Sequence, residues 1–75
     1  MSFELRMVED LIQIAAAGGG FRLDAGLRRT EDLVTIAAAA SRSGARVTFA
    51  GLKLRPTTQL IQIAAAGKGC VFLED

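Results

Sequence analysis

Seventy-five residues, 51% hydrophobic and 23% charged, make one small domain (1–75) with no room for a second core. The single cysteine excludes an intrachain disulfide, and without histidine the chain lacks the ligands of a zinc site. A net charge of +1 describes neither a disordered tail nor a strongly basic nucleic-acid binder.

Mean hydropathy is +0.35, high for a small monomer even though much of it is alanine. A chain this short has little interior for apolar groups, so the value points toward oligomerisation. Met1-Ser2-Phe3-Glu4-Leu5-Arg6 lacks a basic leader followed by an apolar run. No stretch approaches the ~20 apolar residues that span a bilayer. The expectation is a cytoplasmic protein without a membrane partner. An excess of arginine over lysine, with abundant alanine, suits a GC-rich bacterial genome.

Along the chain, Phe3-Glu4-Leu5-Arg6-Met7 alternates, which leaves two readings of 3–6: a short strand, or the preferred loop or first helical turn. A helix is expected near 7–17. Its Leu11-Ile12-Gln13-Ile14-Ala15-Ala16-Ala17-Gly18 recurs letter for letter at 60–67, and Leu33-Val34-Thr35-Ile36-Ala37-Ala38-Ala39 is a third copy. The shared isoleucine stands at 14, 36 and 63, so the repeating unit is about 25 residues long.

Strands are expected near 21–24, 46–50 and 70–74, where short apolar-alternating segments lie between the helical ones. Phe21, Leu23, Val47, Phe49, Val71 and Leu73 share one face; Arg22, Asp24, Arg46, Thr48, Phe72 and Glu74 share the other. A helix near 30–42 places Leu33, Ile36, Ala37 and Ala40 on one face, with Asp32, Thr35, Ala39 and Arg42 opposite. Another follows near 57–67. Thr30 and Thr57 stand where N-caps would, Glu31 and Asp32 suit the positive end of the helix dipole, and Gly18, Gly44 and Gly67 suit left-handed helix closure.

One mostly polar strand face argues for helices on one side of the sheet only. Right-handed crossovers then place successive strands side by side. The expected fold is α/β: three βα-type repeats (about 1–19, 20–44 and 45–75) in α-βα-βα-β order, with a short parallel sheet and a solenoid-like form. As architecture, this strand–loop–helix unit resembles a leucine-rich-repeat-type solenoid over the whole chain. It lacks that family's leucine ladder and asparagine position, so no residue roles carry over. It is also similar to small alanine-rich bacterial proteins built from a βα unit, a resemblance that implies no activity.

Catalytic material is poor. Without histidine, Ser-His and Cys-His nucleophiles are impossible, and the pairs Glu9/Asp10 and Glu31/Asp32 read as helix-dipole partners. Gly18-Gly19-Gly20 and Gly67-Lys68-Gly69 each follow a helix and precede a strand, the reverse of a phosphate cradle. Cys70 reads as an inert structural thiol. No cofactor or metal is implied, and the chain is not expected to be an enzyme.

The most specific polar feature is a row of arginines. Arg6, Arg28 and Arg55 occupy equivalent repeat positions, thickened by Arg29 and Lys53. Beside Thr30 and Thr57 they would form an anion-binding rim at the helix N-termini. Nucleic acid is disfavoured, because no aromatic residues accompany the row. Two functions follow. One is a non-catalytic protein-interaction module, self-associating, with Arg22, Asp24, Arg46, Thr48, Phe72 and Glu74 as its interaction surface. The alternative is a binder of small anions through the arginine rim.

Overall fold

Leu33, Ile36, Ala37 and Ala40 recur at the spacing that lines one helix face, and all four are fully buried in the computed structural model, which describes residues 7–26 and 28–74. They belong to the central helix. In chain order the elements are α1 (Val8–Ala16), β1 (Phe21–Asp24), α2 (Thr30–Ser43), β2 (Val47–Ala50), α3 (Thr57–Gly67) and β3 (Val71–Leu73). The order is α-β-α-β-α-β, as the repeat implies. The possible strand at 3–6 and the Arg6 position lie outside the described residues.

The described strands form one parallel sheet in the order β1-β2-β3. Phe21, Val47 and Val71 are in register, followed by Arg22, Thr48 and Phe72, then Leu23, Phe49 and Leu73. Leu23, Val47 and Phe49 are fully buried beneath the helices, whereas Arg22 and Asp24 remain exposed. The hydrophobic core is thus one layer between helices and sheet, and the other sheet face carries Arg22, Asp24, Thr48 and Glu74 together with Ala50 and Phe72.

Helix α2 is flanked on both sides, by α1 and by α3. That explains Ala39, which was expected on the polar face but is buried. A helix with two helical neighbours and a sheet beneath it buries a wider arc than an amphipathic surface helix. The Ser43 hydroxyl donates to the Ala15 carbonyl and ties the end of α2 to the end of α1.

The threonine caps are corrected. Arg29 and Pro56 hold the N-cap positions, with extended backbones and no side-chain cap bond, and Thr30 and Thr57 are the first helical residues. The Thr30 hydroxyl is drawn instead to α3, donating to Gln59 Oε1 at 2.8 Å. Glu31 and Asp32 do lie in the first turn of α2. Gly44 closes α2 in the left-handed conformation (φ 80°), as expected.

Gly67 does not close α3; Lys68 does, at φ 49°. Gly67 is needed for another reason, since a Cβ there would lie 2.5 Å from Val71 Cγ2. The strand turns back directly under the helix end, and only a bare Cα fits between them.

Two substitutions test this packing by chemical denaturation. Leu33→Ala should cost ~2–5 kcal/mol, most of the roughly 5 kcal/mol available to a small domain. Gly67→Ala should cost ~1–3 kcal/mol through overpacking, although alanine in a helix interior normally gains up to ~1 kcal/mol over glycine. A stabilised Gly67→Ala variant would show that Val71 moves aside freely.

Candidate functional site

The polar residues singled out by the repeat fall on two surfaces. The first lies at the carboxyl ends of the strands, where each loop runs up into the next helix. Asp24 Oδ1 accepts the Gly26 N–H at 3.1 Å, an Asx-type turn that bends the chain as it leaves β1. Gly51 faces that carboxylate: its φ is +76°, and a Cβ on it would lie 2.5 Å from Asp24 Oδ1. Tight turns follow in both repeats, with Arg28 N–H on the Ala25 carbonyl at 3.1 Å and Arg55 N–H on the Leu52 carbonyl at 3.0 Å. Arg28 and Arg55 thus close equivalent turns, as their spacing implies.

Between these turns lies a shallow depression of about 870 Å³. Its lining includes Arg28, Lys53, Arg55, Asp24 and Gln59. Arg29 and Thr30 line a separate recess between α2 and α3, with Glu31 and Gln62. The structure therefore brings Arg28, Lys53 and Arg55 together and turns Arg29 away from them.

The cations differ in what they hold. Arg55 reaches back across the loop before it: Nη1 donates to Thr30 Oγ1 at 2.8 Å, and Nη2 donates to the Ala25 carbonyl at 2.7 Å and to the Arg28 carbonyl. Its Nε is buried without a hydrogen-bond partner. Arg29 pairs with Glu31 at 3.1 Å and with Asp32 at 3.4 Å. Its pKa is raised above the ordinary value, first by the Asp32 hydrogen bond and then by the charges of Asp32 and Glu31. Arg28 also holds an interaction of its own. Thr57 and Lys53 are exposed.

The second surface is the open face of the sheet. Arg22, Thr48 and Phe72 form one register row. Arg22 Nη2 bonds to Glu74 Oε1 at 2.8 Å, a pair that crosses the central strand diagonally. Arg46 is exposed just before β2, and Thr48 is half-buried. Ala50 shares this face by alternation, yet it is only 6% exposed; it was missed because alanine carries no polar signal.

No known protein family, curated protein or solved structure matches the chain.

A third surface was not singled out by polarity. Leu54 is 94% exposed, Ile61 61%, Phe72 47% and Leu73 38%. All four lie in the last repeat, whereas Met7 is the other exposed large apolar residue among those described. The repeat marks Ile61 only as a position competent for burial. Leu11, Ile12 and Ala15 of α1 and Leu60, Ile61 and Ala64 of α3 have the same letters, but Leu11 and Ala15 are fully buried while Ile61 and Ala64 are exposed. Leu73 has core phase but sits in the edge strand, where the helix layer leaves it uncovered.

Among the described residues, no group of three or more His, Cys, Asp and Glu side chains is placed to hold a metal ion. Nor is any described helix long and apolar enough to cross a membrane.

The arginines are separable by denaturation. Arg55→Ala should cost about 2–3 kcal/mol, since charge-assisted hydrogen bonds to partly buried carbonyls are lost. Arg29→Ala should change stability by less than about 1 kcal/mol, as expected for an exposed ion pair. Equal and small losses would make Arg55 mere surface charge.

Proposed function

We propose that this chain is a non-catalytic protein-interaction module that self-associates through the flank formed by α3 and β3. One observation carries the reading. The residues that α1 buries wholly or in part, Leu11, Ile12 and Ala15, are present again in α3 as Leu60, Ile61 and Ala64, where Ile61 and Ala64 are open to solvent. A surface of this composition is normally covered, because large contiguous apolar patches on soluble proteins mark interaction sites. The edge strand beneath it adds unpaired backbone groups that favour another strand.

The alternative, a binder of small anions, draws on Arg28, Lys53 and the depression at the strand ends. It has weaker support, because both terminal nitrogens of Arg55 donate within the chain and Arg29 is paired with Glu31 and Asp32.

Sedimentation velocity between about 1 and 100 μM, which spans weak and moderate affinities, tests the proposal. The mass should rise above the monomer with concentration, and Ile61→Arg should shift the transition at least about tenfold toward higher concentration by placing a charge in the contact. A monomer at every concentration removes the reading. Association that appears only with added phosphate, and disappears in Lys53→Ala, favours the anion binder.

A further inference from the structure

The hydrogen bonds of β3 show which of its backbone groups are used. Val47 N–H donates to the Cys70 carbonyl at 3.0 Å, and Glu74 N–H donates to the Phe49 carbonyl at 2.8 Å. The Cys70 carbonyl, Phe72 and the Glu74 N–H therefore face β2, while the Cys70 N–H is taken by the Gly67 carbonyl at 2.9 Å. In an extended strand the intervening residues direct theirs the opposite way, so the N–H and C=O groups of Val71 and Leu73 face the outer edge. Among the described residues no strand pairs with that edge.

We propose that two copies of this chain join at this edge as antiparallel strands, across a two-fold axis at Phe72, so that the two sheets become continuous. The proposal rests on the self-association reading above and specifies its geometry. Three observations single out a second copy, in this register, as the occupant.

First, the edge is self-complementary. With the axis at Phe72, Val71 of each copy lies opposite Leu73 of the other. Both residues present N–H and C=O groups outward, so each such pair exchanges both of its hydrogen bonds. Phe72 then meets its own counterpart in a position without mutual backbone bonds, where side chains stand closest, about 4.5 Å between Cα atoms. Two aromatic rings so placed attract beyond their burial.

Second, the flank carries no charge that would face itself. An isologous contact sets every residue near the axis opposite its own copy. No charged residue occurs from Pro56 through Gly67, nor from Gly69 through Leu73. By contrast, α1 has Glu9 and Asp10, and α2 has Glu31, Asp32 and Arg42. Third, the charges just outside this span are arranged for antiparallel pairing. Lys68 stands at the head of β3 and Glu74 at its foot, so each copy's lysine comes to the end where the other's glutamate lies.

The alternative, a head-to-tail array, would seat β3 against β1 of the next copy. In β1, Phe21, Arg22 and Asp24 already hold further interactions, and the outer flank of α1 presents Asp10 and Gln13. On the helix side of the β3 edge, Val71 is half-buried and Leu73 is 38% exposed.

A charge-swap experiment decides the register. Phe72→Lys and Phe72→Glu are made in the full chain and followed by sedimentation, alone and mixed. The wild type should reach the mass of a dimer and stop. Each variant alone should associate at least about tenfold more weakly, because like charges directly opposite repel, and the mixture should recover a heterodimer. Phe72→Cys with Cys70→Ser should cross-link to its copy under mild oxidation, since opposed Cα atoms at ~4.5 Å lie within disulfide range. If the lysine or glutamate variant fails to fold, this cross-link decides the register by itself.

A wild type that stays monomeric defeats both this geometry and the self-association reading. A wild type that associates while the mixture gains nothing and the cysteine variant fails to cross-link defeats only the geometry. Mass that keeps growing with concentration means head-to-tail contacts, and also overturns the two-fold pairing while self-association stands.

Discussion

The close seating of α2 between two helices and over a sheet is the constraint from which the other features follow. Helix axes pack 8–10 Å apart depending on the contacting side chains, and neighbouring strands lie only ~4.8 Å apart. A strip with one helix per strand therefore needs small residues wherever helices meet. Ala15, Ala37, Ala39 and Ala40 are buried in α1 and α2, and Gly67 is buried at the end of α3. The large side chains Leu11, Leu33, Ile36, Ile63 and Phe49 fill the layer between helices and sheet. High alanine content is thus a packing requirement of this architecture, and it explains why a hydrophobic share of 51% coexists with so few large core residues.

Identical letters are used differently along this strip. The octapeptide Leu11–Gly18 buries Leu11 and Ala15, whereas its copy Leu60–Gly67 buries Ile63 and Gly67. These are the two sides of one amphipathic helix, and α2 buries both, through Leu33 with Ala37 and Ile36 with Ala40. Repeat periodicity therefore reveals which positions are competent to be core. Which of them are buried depends on what stands beside each helix. The element order, the register and the face of α2 were readable because they depend on period and spacing alone. Leu73 and Ile61 were not, because their exposure is set by neighbours and not by their own letters.

Local backbone chemistry shows the same divide. Thr30 has a good capping side chain, but its hydroxyl lies within reach of Gln59 and Arg55, partners 29 and 25 residues away. Those contacts hold it inside the first helical turn while Arg29 takes the cap position. Gly67 follows the helical run as a left-handed glycine would, yet the Val71 side chain, four residues on, accounts for it. The arginine row is the sharpest instance. Equivalent spacing foretold that Arg28 and Arg55 would occupy equivalent turns. It could not tell that Arg55 folds back onto the Ala25 and Arg28 carbonyls. A cation that satisfies carbonyls of the preceding turn stitches adjacent repeats together, and this gives a structural reason for an arginine to recur at that position.

The two outer flanks of the helix layer are unequal, and the inequality follows from which polar letters the repeats do not share. On α1 the outer side mixes Ile14 and Ala17 with Asp10 and Gln13. On α3 the outer side has Leu60, Ile61 and Ala64, with no charged residue anywhere in the helix. Water solvates the first flank adequately through its carboxylate and amide. The second has backbone-saturated helix and apolar side chains above an edge strand whose outward N–H and C=O groups are its main polar atoms. Covering that edge with an apolar surface alone would leave those groups unsatisfied, a cost of about 1–3 kcal/mol each. Burying it against another strand satisfies them while removing Phe72 and Leu73 from solvent. Apolar contact and backbone pairing therefore favour the same kind of partner at this flank, one that supplies a strand together with an apolar surface.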